Sequence, residues 1–463
     1  MSRRLLLVVA ALAAFATNAA AQGRRQVPDR ERCVIDIVNV DRQGVRTTPT
    51  PGQENMYLGG NVHVQCRGRN IHIYADSMAS FGGSIWQFIS QGNRVKYRDS
   101  TTALDTDFGT YVKDGERFEA QGNVEHRDLK TGSMIKGSRV DYLRPVKGLR
   151  DVLEVIGYNR PTVTYVVTDS AGRPQAPYVI IGNKVVTKGN EAIYAGGAVQ
   201  IDREDLKGLA DSLWLDSGKS QGGQLIGHAS LQSVQENGFT LTGRTIDIGL
   251  TNKELSGVTA HDTARLVSKD VTLDADSIRV ELVTRRAELT RAWGKTLRPR
   301  VVSADYQVTG DSLLILTPLQ KLSKVQAFGK GWAGFTGDSS KPGARRDWIG
   351  GEIVTVSFVE RDSAGVKKTA IQQLEAERDA RSFYQMDPER GQTIGSINYT
   401  RAQKILVTMR VTRDSNTVSR VDATGAVDGA HLQPALRRRD STAAKPDSTV
   451  RRPEAAPPRR GNR

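Results

Sequence analysis

Between Tyr57 and Ser77 the chain reads YLGGNVHVQCRGRNIHIYADS, and its apolar positions alternate with polar ones. Val62, Val64 and Cys66 fall on one side, with His63 and Gln65 between them. After a break at Gly68, Ile71, Ile73 and Ala75 alternate with His72, Tyr74 and Asp76. Period-two alternation in short runs punctuated by glycine predicts two strands joined by a tight turn. Each strand has one apolar face, so the pair needs something to cover it.

The unit returns at Gln121–Leu143, Gly196–Leu215 and Gly257–Val280, each time as a glycine, a strand, a polar connection and a second strand built around an aspartate. The steps at 75–77, 210–212 and 275–277 all read Ala-Asp-Ser, and 303–306 and 310–313 echo them. Units that cannot bury their apolar faces alone must stack. The glycine-to-aspartate spacing is sixteen residues for Gly60–Asp76, fourteen for Gly197–Asp211 and nineteen for Gly257–Asp276. That variation excludes a strict solenoid and predicts antiparallel strands wound into an elongated roll. Ala370–Arg381 has helix-forming composition, but strand patterns flank it. The fold class expected is all-β.

Composition agrees: 38% of the 463 residues are hydrophobic, 6% are aromatic, and 45 are glycine. Such a chain is rich in turns and thin in core. The first 21 residues have the form of a signal peptide, with Arg3-Arg4, an apolar run from Leu5 to Ala16, and Ala19-Ala20-Ala21 before Gln22. The run is shorter than the ~20 residues of a membrane-spanning helix. A periplasmic protein is therefore expected, either free or associated with the outer membrane. The organisation expected is a lead-in at 22–54, repeat regions at 55–170 and 171–336, a linker over 338–347, a β-rich segment at 347–433, and a basic tail at 437–463. The tail carries nine Lys/Arg against three Asp/Glu, which is +6 of the formal net charge of +15. Without aromatics and rich in Pro and Ala, it is expected to be disordered. Nucleic acid is not an expected partner, because the chain is exported and no basic-aromatic interleaving is present.

Cys33 and Cys66 both lie beyond the leader, and an oxidising compartment favours their pairing over two separate buried thiols. The six histidines form no HxH or HExxH pair, and no nucleophile elbow, phosphate loop or CxxC is present. Asp76, Asp141, Asp211, Asp276 and Asp305 recur at related places. They read better as acceptors of turn or neighbouring-strand N–H groups than as metal ligands or paired acids. No catalysis, metal or cofactor is expected.

The GNV at Gly60–Val62 and again at Gly122–Val124, each followed by a strand, a turn and an Asp-bearing strand, resembles the OstA-like repeats of lipopolysaccharide-transport proteins. This is the family of LptA and of the LptD N-terminal domain. The resemblance covers about 55–145 and 190–335 and fades after 347. It implies a β-jellyroll, or β-taco, with a groove between two sheets, and a periplasmic bridge that passes lipopolysaccharide or a related glycolipid between membranes. Val62, Val64, Ile71, Ile73, Leu213, Leu215, Val271 and Leu273 are then expected to face inward, either lining an apolar trough or filling a dry core. Arg67, Arg69, Arg139 and Arg144 are candidates to meet lipid A phosphates. The partners implied are the glycolipid, other β-jellyroll components joined by edge-strand pairing, and an outer-membrane translocon. A docking edge is expected within about 394–430. The alternative is a structural or adhesive β-repeat protein with a fully packed core.

Overall fold

The computed structural model describes residues 33–434, apart from 49, 51–53, 169–172, 190, 219, 253, 270, 304–305, 336–346, 364–365, 387–394 and 413–415. The expected signal peptide, most of the linker, the basic tail and Asp305 lie outside the described residues. What is described is an elongated all-β protein of the antiparallel jellyroll kind. Among the described residues thirty strands pair into one antiparallel sheet, from Ile35–Asn39 to Asp428–Leu432.

The sheet is folded along its length, and the fold line comes from the repeated sequence unit. In strand Glu54–Cys66, residues 56–59 pair with 77–80 and residues 62–65 pair with 72–75. Gly60 and Asn61 therefore face the single residue Asp76, which is a β-bulge. Beyond the bulge the partners separate. Ile85–Ile89 continues one half of strand His72–Phe81, and Val95–Arg98 continues the other. The same division recurs around Phe108–Val112 and Thr102–Thr106, and around Lys184–Lys188 and Tyr178–Ile181. It recurs again around Ser312–Leu316 and Tyr306–Thr309. Two facing half-sheets result. The front sheet starts at Arg42–Thr47 and the back sheet at Ile35–Asn39.

Glycine is required at these corners for two reasons. Gly60, Gly122, Gly197, Gly227 and Gly329 have φ between 70° and 80°, and each is followed by a residue that is also left-handed. The space a side chain would need is also taken, by Asp41, Asp107, Asn183, Asp211 and Asp311 respectively. The Asp41, Asp107, Asn183 and Asp311 N–H groups each donate to the carbonyl of their glycine at 3.0 Å. Asn suits the following position because it tolerates positive φ. It also bonds sideways, with Asn61 Nδ2 donating to Asp41 at 2.9 Å and Asn123 Nδ2 to Asp107 at 2.7 Å. The two GNV motifs are thus two corners of one fold line.

The recurring aspartates sort by the same geometry. Asp76, Asp211 and Asp276 stand opposite the bulges at 60–61, 197–198 and 262–263. Asp76 accepts the N–H groups of Gln91 and Asn93, and Asp276 accepts those of Lys295, Thr296 and Leu297. These bonds hold both carboxyls below the usual carboxylate range. Asp141 is a departure from the expected pattern, because Ser138 occupies the place opposite the second bulge. Asp141 is instead buried beside Arg139 and Tyr158.

Alternation along the strands puts one face of each half-sheet into a shared interior. Its N-terminal layers are filled by aromatic rings: Tyr97 lies 5.1 Å from Phe118 and 5.3 Å from Tyr142, centroid to centroid. From Ile180 onward the buried residues are mostly aliphatic, with many alanines such as Ala195, Ala229, Ala260 and Ala292. The helix-forming stretch Ala370–Arg381 lies within strand Val366–Gln385, which pairs on both sides. There, burial of Ile371, Leu374 and Ala376 between two neighbours overrides local propensity. The C-terminal segment is not set apart by the expected linker, since Trp348–Ser363 pairs directly with Lys324–Phe335.

The folded sheet ends in open edges. Ile35–Asn39 and Arg42–Thr47 pair only with Glu54–Cys66 among the described residues. At the other end Asn416–Thr424 and Asp428–Leu432 pair, again among the described residues, only with Ile397–Val411.

Candidate functional site

The hairpin turns of the two half-sheets meet along a seam opposite the line of corners. Its character changes along the molecule. In the N-terminal layers the seam is closed by charge. Glu116, 3% exposed, accepts the Cys33 N–H at 3.1 Å and pairs with Arg69 at 3.0 Å and Arg144 at 3.5 Å. Arg144 also reaches Asp99 at 3.8 Å, and Asp99 accepts the Tyr142 hydroxyl at 2.8 Å. Burial pushes the Tyr97 and Tyr111 hydroxyls well above their ordinary range, so both stay protonated. A disulfide between Cys33 and Cys66, with Cα atoms 5.3 Å apart, fastens the first strand at this end.

Further on the seam opens into three apolar clefts in a row. The first has an empty volume of about 400 Å³ with solvent at its mouth included, and it lies between Ile135 and Val163 of the back sheet and Val155 of the front. The second, about 430 Å³, is lined by Ile180, Leu206, Leu213, Leu215, Ile248 and Leu255 among others. The third, about 610 Å³, includes Phe239, Leu266, Val271, Ile315 and Leu322. Polar contacts across the seam separate them. The Tyr165 hydroxyl is 3.5 Å from the Ser217 hydroxyl between the first and second. Between the second and third, Arg285 crosses the seam to Gln175 at 2.8 Å and Glu204 at 3.4 Å. Arg203, held by Asp205, donates to the Tyr178 hydroxyl at 2.5 Å beside it.

The eight residues expected to face inward do so, with Val271 half-buried at the rim, but they do not form one surface. Leu213 and Leu215 line the second cleft and Val271 the third. Val64, Ile71 and Ile73 belong to the closed N-terminal layers, where each is at most 3% exposed, and Leu273 is fully buried. Val62 is buried too, beneath a wide polar depression on the outer face. The four expected phosphate contacts are engaged with carboxylates. Arg67 pairs with Asp36 at 2.5 Å, Arg69 with Glu116, Arg139 with Asp141 at 3.5 Å, and Arg144 with Glu116 and Asp99. Arg139 also stacks on Tyr158. Among the described residues no group of three His, Cys, Asp or Glu side chains is placed to hold a metal ion.

Sequence reasoning missed the seam clasps and one buried histidine, His126, which lines the first cleft with Asp128. The signal was there: in GNVEHRD the alternation that sends Val124 inward sends His126 and Asp128 inward with it. No protein-family model and no curated protein matches the chain.

Proposed function

We propose that this protein carries a lipid, lipopolysaccharide or a related envelope glycolipid, with its acyl chains held in the seam. The observation that carries this reading is the row of three apolar clefts along one open side of a folded sheet. Burial of each CH₂ contributes about 0.8 kcal/mol, so partial enclosure of an acyl chain gives firm binding without directional bonds. The OstA-like resemblance of the corner motifs supports the choice of lipid, and the leader-like N-terminus supports a periplasmic setting. On this reading the protein moves its cargo without changing it chemically. It acts as one element of a bridge between membranes, joined to other β-jellyroll components, and to an outer-membrane translocon, through its open edge strands.

A second reading, a scaffold with no cargo, draws on the N-terminal layers, whose interior is filled by aromatic rings under a lid of ion pairs. The two are separated by extracting the protein, purified from its native envelope, with organic solvent and analysing the extract by mass spectrometry. A stoichiometric glycolipid supports the carrier, and an extract empty of lipid supports the scaffold.

A further inference from the structure

We infer that the first cleft is a selective site for an alkyl or acyl chain bearing a hydroxyl group, which the His126 imidazole receives. His126 lies in strand Arg117–Asp128, between Leu104 and Ile135 of the neighbouring strands, and is 4% exposed. Neither ring nitrogen has a hydrogen-bond partner among the described residues. Buried polar groups are nearly always satisfied, and each exception calls for a specific explanation. Burial pushes the imidazole pKa down to about 4, so the ring is neutral at pH 7 and offers one donor and one acceptor.

The surroundings decide what completes it. Tyr142 covers one side of the ring at 5.6 Å, and the aliphatic side chains of Ile135, Leu153, Val155 and Val163 share the rest of the cleft with hydroxyl-bearing ones such as Ser133 and Thr187. Asp128 shares the cleft wall, its Oδ1 accepting the Lys130 and Thr131 N–H groups at 2.8 Å each. A carboxylate or phosphate would meet that charge, and it accepts only. An ammonium group donates only, so it could meet the bare nitrogen alone, and it would have to bury its charge in the cleft. A hydroxyl is uncharged and can pair with either ring nitrogen, donating to the bare one or accepting from the N–H, and Ile135, Leu153, Val155 and Val163 receive the rest of the chain. The second cleft, lined by aliphatic side chains apart from Tyr178, has no such group to offer. The inference rests on the lipid-carrier reading and adds to it a chemical feature of the chain that enters the first cleft.

The test compares decanoate with ω-hydroxydecanoate, using the full exported chain, calorimetric titration and the His126→Leu variant. Leaving a buried donor or acceptor unpaired is costly, so wild type is expected to bind the hydroxylated acid about tenfold more tightly. His126→Leu is expected to erase that preference while still binding decanoate. In parallel, the His126 ring ¹⁵N resonances of wild type should move with the hydroxylated acid and stay put with decanoate; this readout decides the matter even if the variant does not fold. Equal affinities in wild type, unmoved ring resonances, or a preference that survives in the leucine variant would overturn the inference and leave the carrier reading standing, with a bound water as the partner of His126. Failure of both acids to bind anywhere would remove both.

Discussion

Gly122→Ala tests the corner that makes this a folded sheet. The perturbation has two parts. The first is conformational: φ at Gly122 is 78°, and placing an L side chain in the left-handed region costs about 1–2 kcal/mol. The second is steric, because the new Cβ would lie 2.6 Å from Asp107 Oδ2 and 2.9 Å from its Cβ. Asp107 cannot move aside freely, since it accepts from Asn123 Nδ2 and donates its own N–H to the Gly122 carbonyl. Crowding of this kind typically costs a further 1–3 kcal/mol, roughly, so the expected total is about 2–5 kcal/mol. Repeat proteins open locally, so the assay is native-state amide exchange, read over strands Arg117–Asp128 and Met134–Leu143 against more distant strands. Gly115→Ala is the control, because its Cβ would meet nothing within 4 Å. Adding Asp107→Gly to Gly122→Ala should relieve the steric part, making the double variant less destabilised than the two single changes summed. If Gly122→Ala costs no more than Gly115→Ala, the corner argument is wrong.

Three further outcomes are expected. The disulfide predicts no reactive thiol in the denatured, unreduced protein, and two labelled thiols per chain would show that Cys33 and Cys66 stay apart. Its removal should cost roughly 2–4 kcal/mol, for a loop of 33 residues. Acid should loosen the connections at 91–93 and 295–297 first. The Asp76 and Asp276 carboxyls titrate below their ordinary value, so the stabilisation each supplies is complete above that value and is lost as pH falls through the lowered one. Asp276→Asn should remove that acid dependence of exchange at 295–297, and an unchanged profile would contradict the assignment. For the C-terminal edge, Val421→Lys with Ala430→Lys places charge on two exposed residues of the last strands. The protein should stay folded and lose recruitment of a β-jellyroll partner in a pull-down, and recruitment at full strength would put the docking edge elsewhere. A cut after Asp347 is a poorer probe, because it would bare strand Lys324–Phe335 as a new edge.

Much of the fold was legible because its rules are local. Alternation through Val62, Val64, Ile71 and Ile73 gave the buried face directly, and the glycine-aspartate rhythm marked the corners at Gly60 and Gly197 but not in the unit opened by Gly257, where the corner opposite Asp276 is Asp262-Thr263 and Gly257 pairs with Glu281. What the rhythm left open was which glycine meets which aspartate. Gly60 packs against Asp41, in the connection between Ile35–Asn39 and Arg42–Thr47, while Asp76 faces it across the bulge and caps the connection at 91–93. Asp141 echoes the pattern in sequence only, since the second corner falls at Ser138. The site was harder to see, because the seam is made by turns distant in sequence. Arg285 meets Glu204 across 81 positions and Cys33 meets Glu116 across 83, and no local pattern encodes such pairs. The arginines expected to await phosphate are engaged too: Arg69 and Arg144 meet carboxylates from the opposite half-sheet and Arg67 one from a neighbouring strand, while Arg139 meets Asp141 two residues along its own strand. Aromatic side chains also distinguish the filled N-terminal interior from the cleft-bearing remainder, and their concentration between Trp86 and Tyr142 is visible in the sequence once the layers are known.

On the proposed carrier reading, a lipid lies in the seam beyond the closed N-terminal layers. The most direct test places a photo-crosslinking amino acid, one per variant, at three positions in cells that export the protein. Position 215 faces the second cleft, position 73 is sealed among the N-terminal layers, and position 194 is exposed on the outer face. Adducts to lipopolysaccharide or a related glycolipid, identified by mass spectrometry, should form efficiently from 215 and be scarce from 73 and 194. Equal yields at all three positions, or no lipid adduct at 215, would contradict the account.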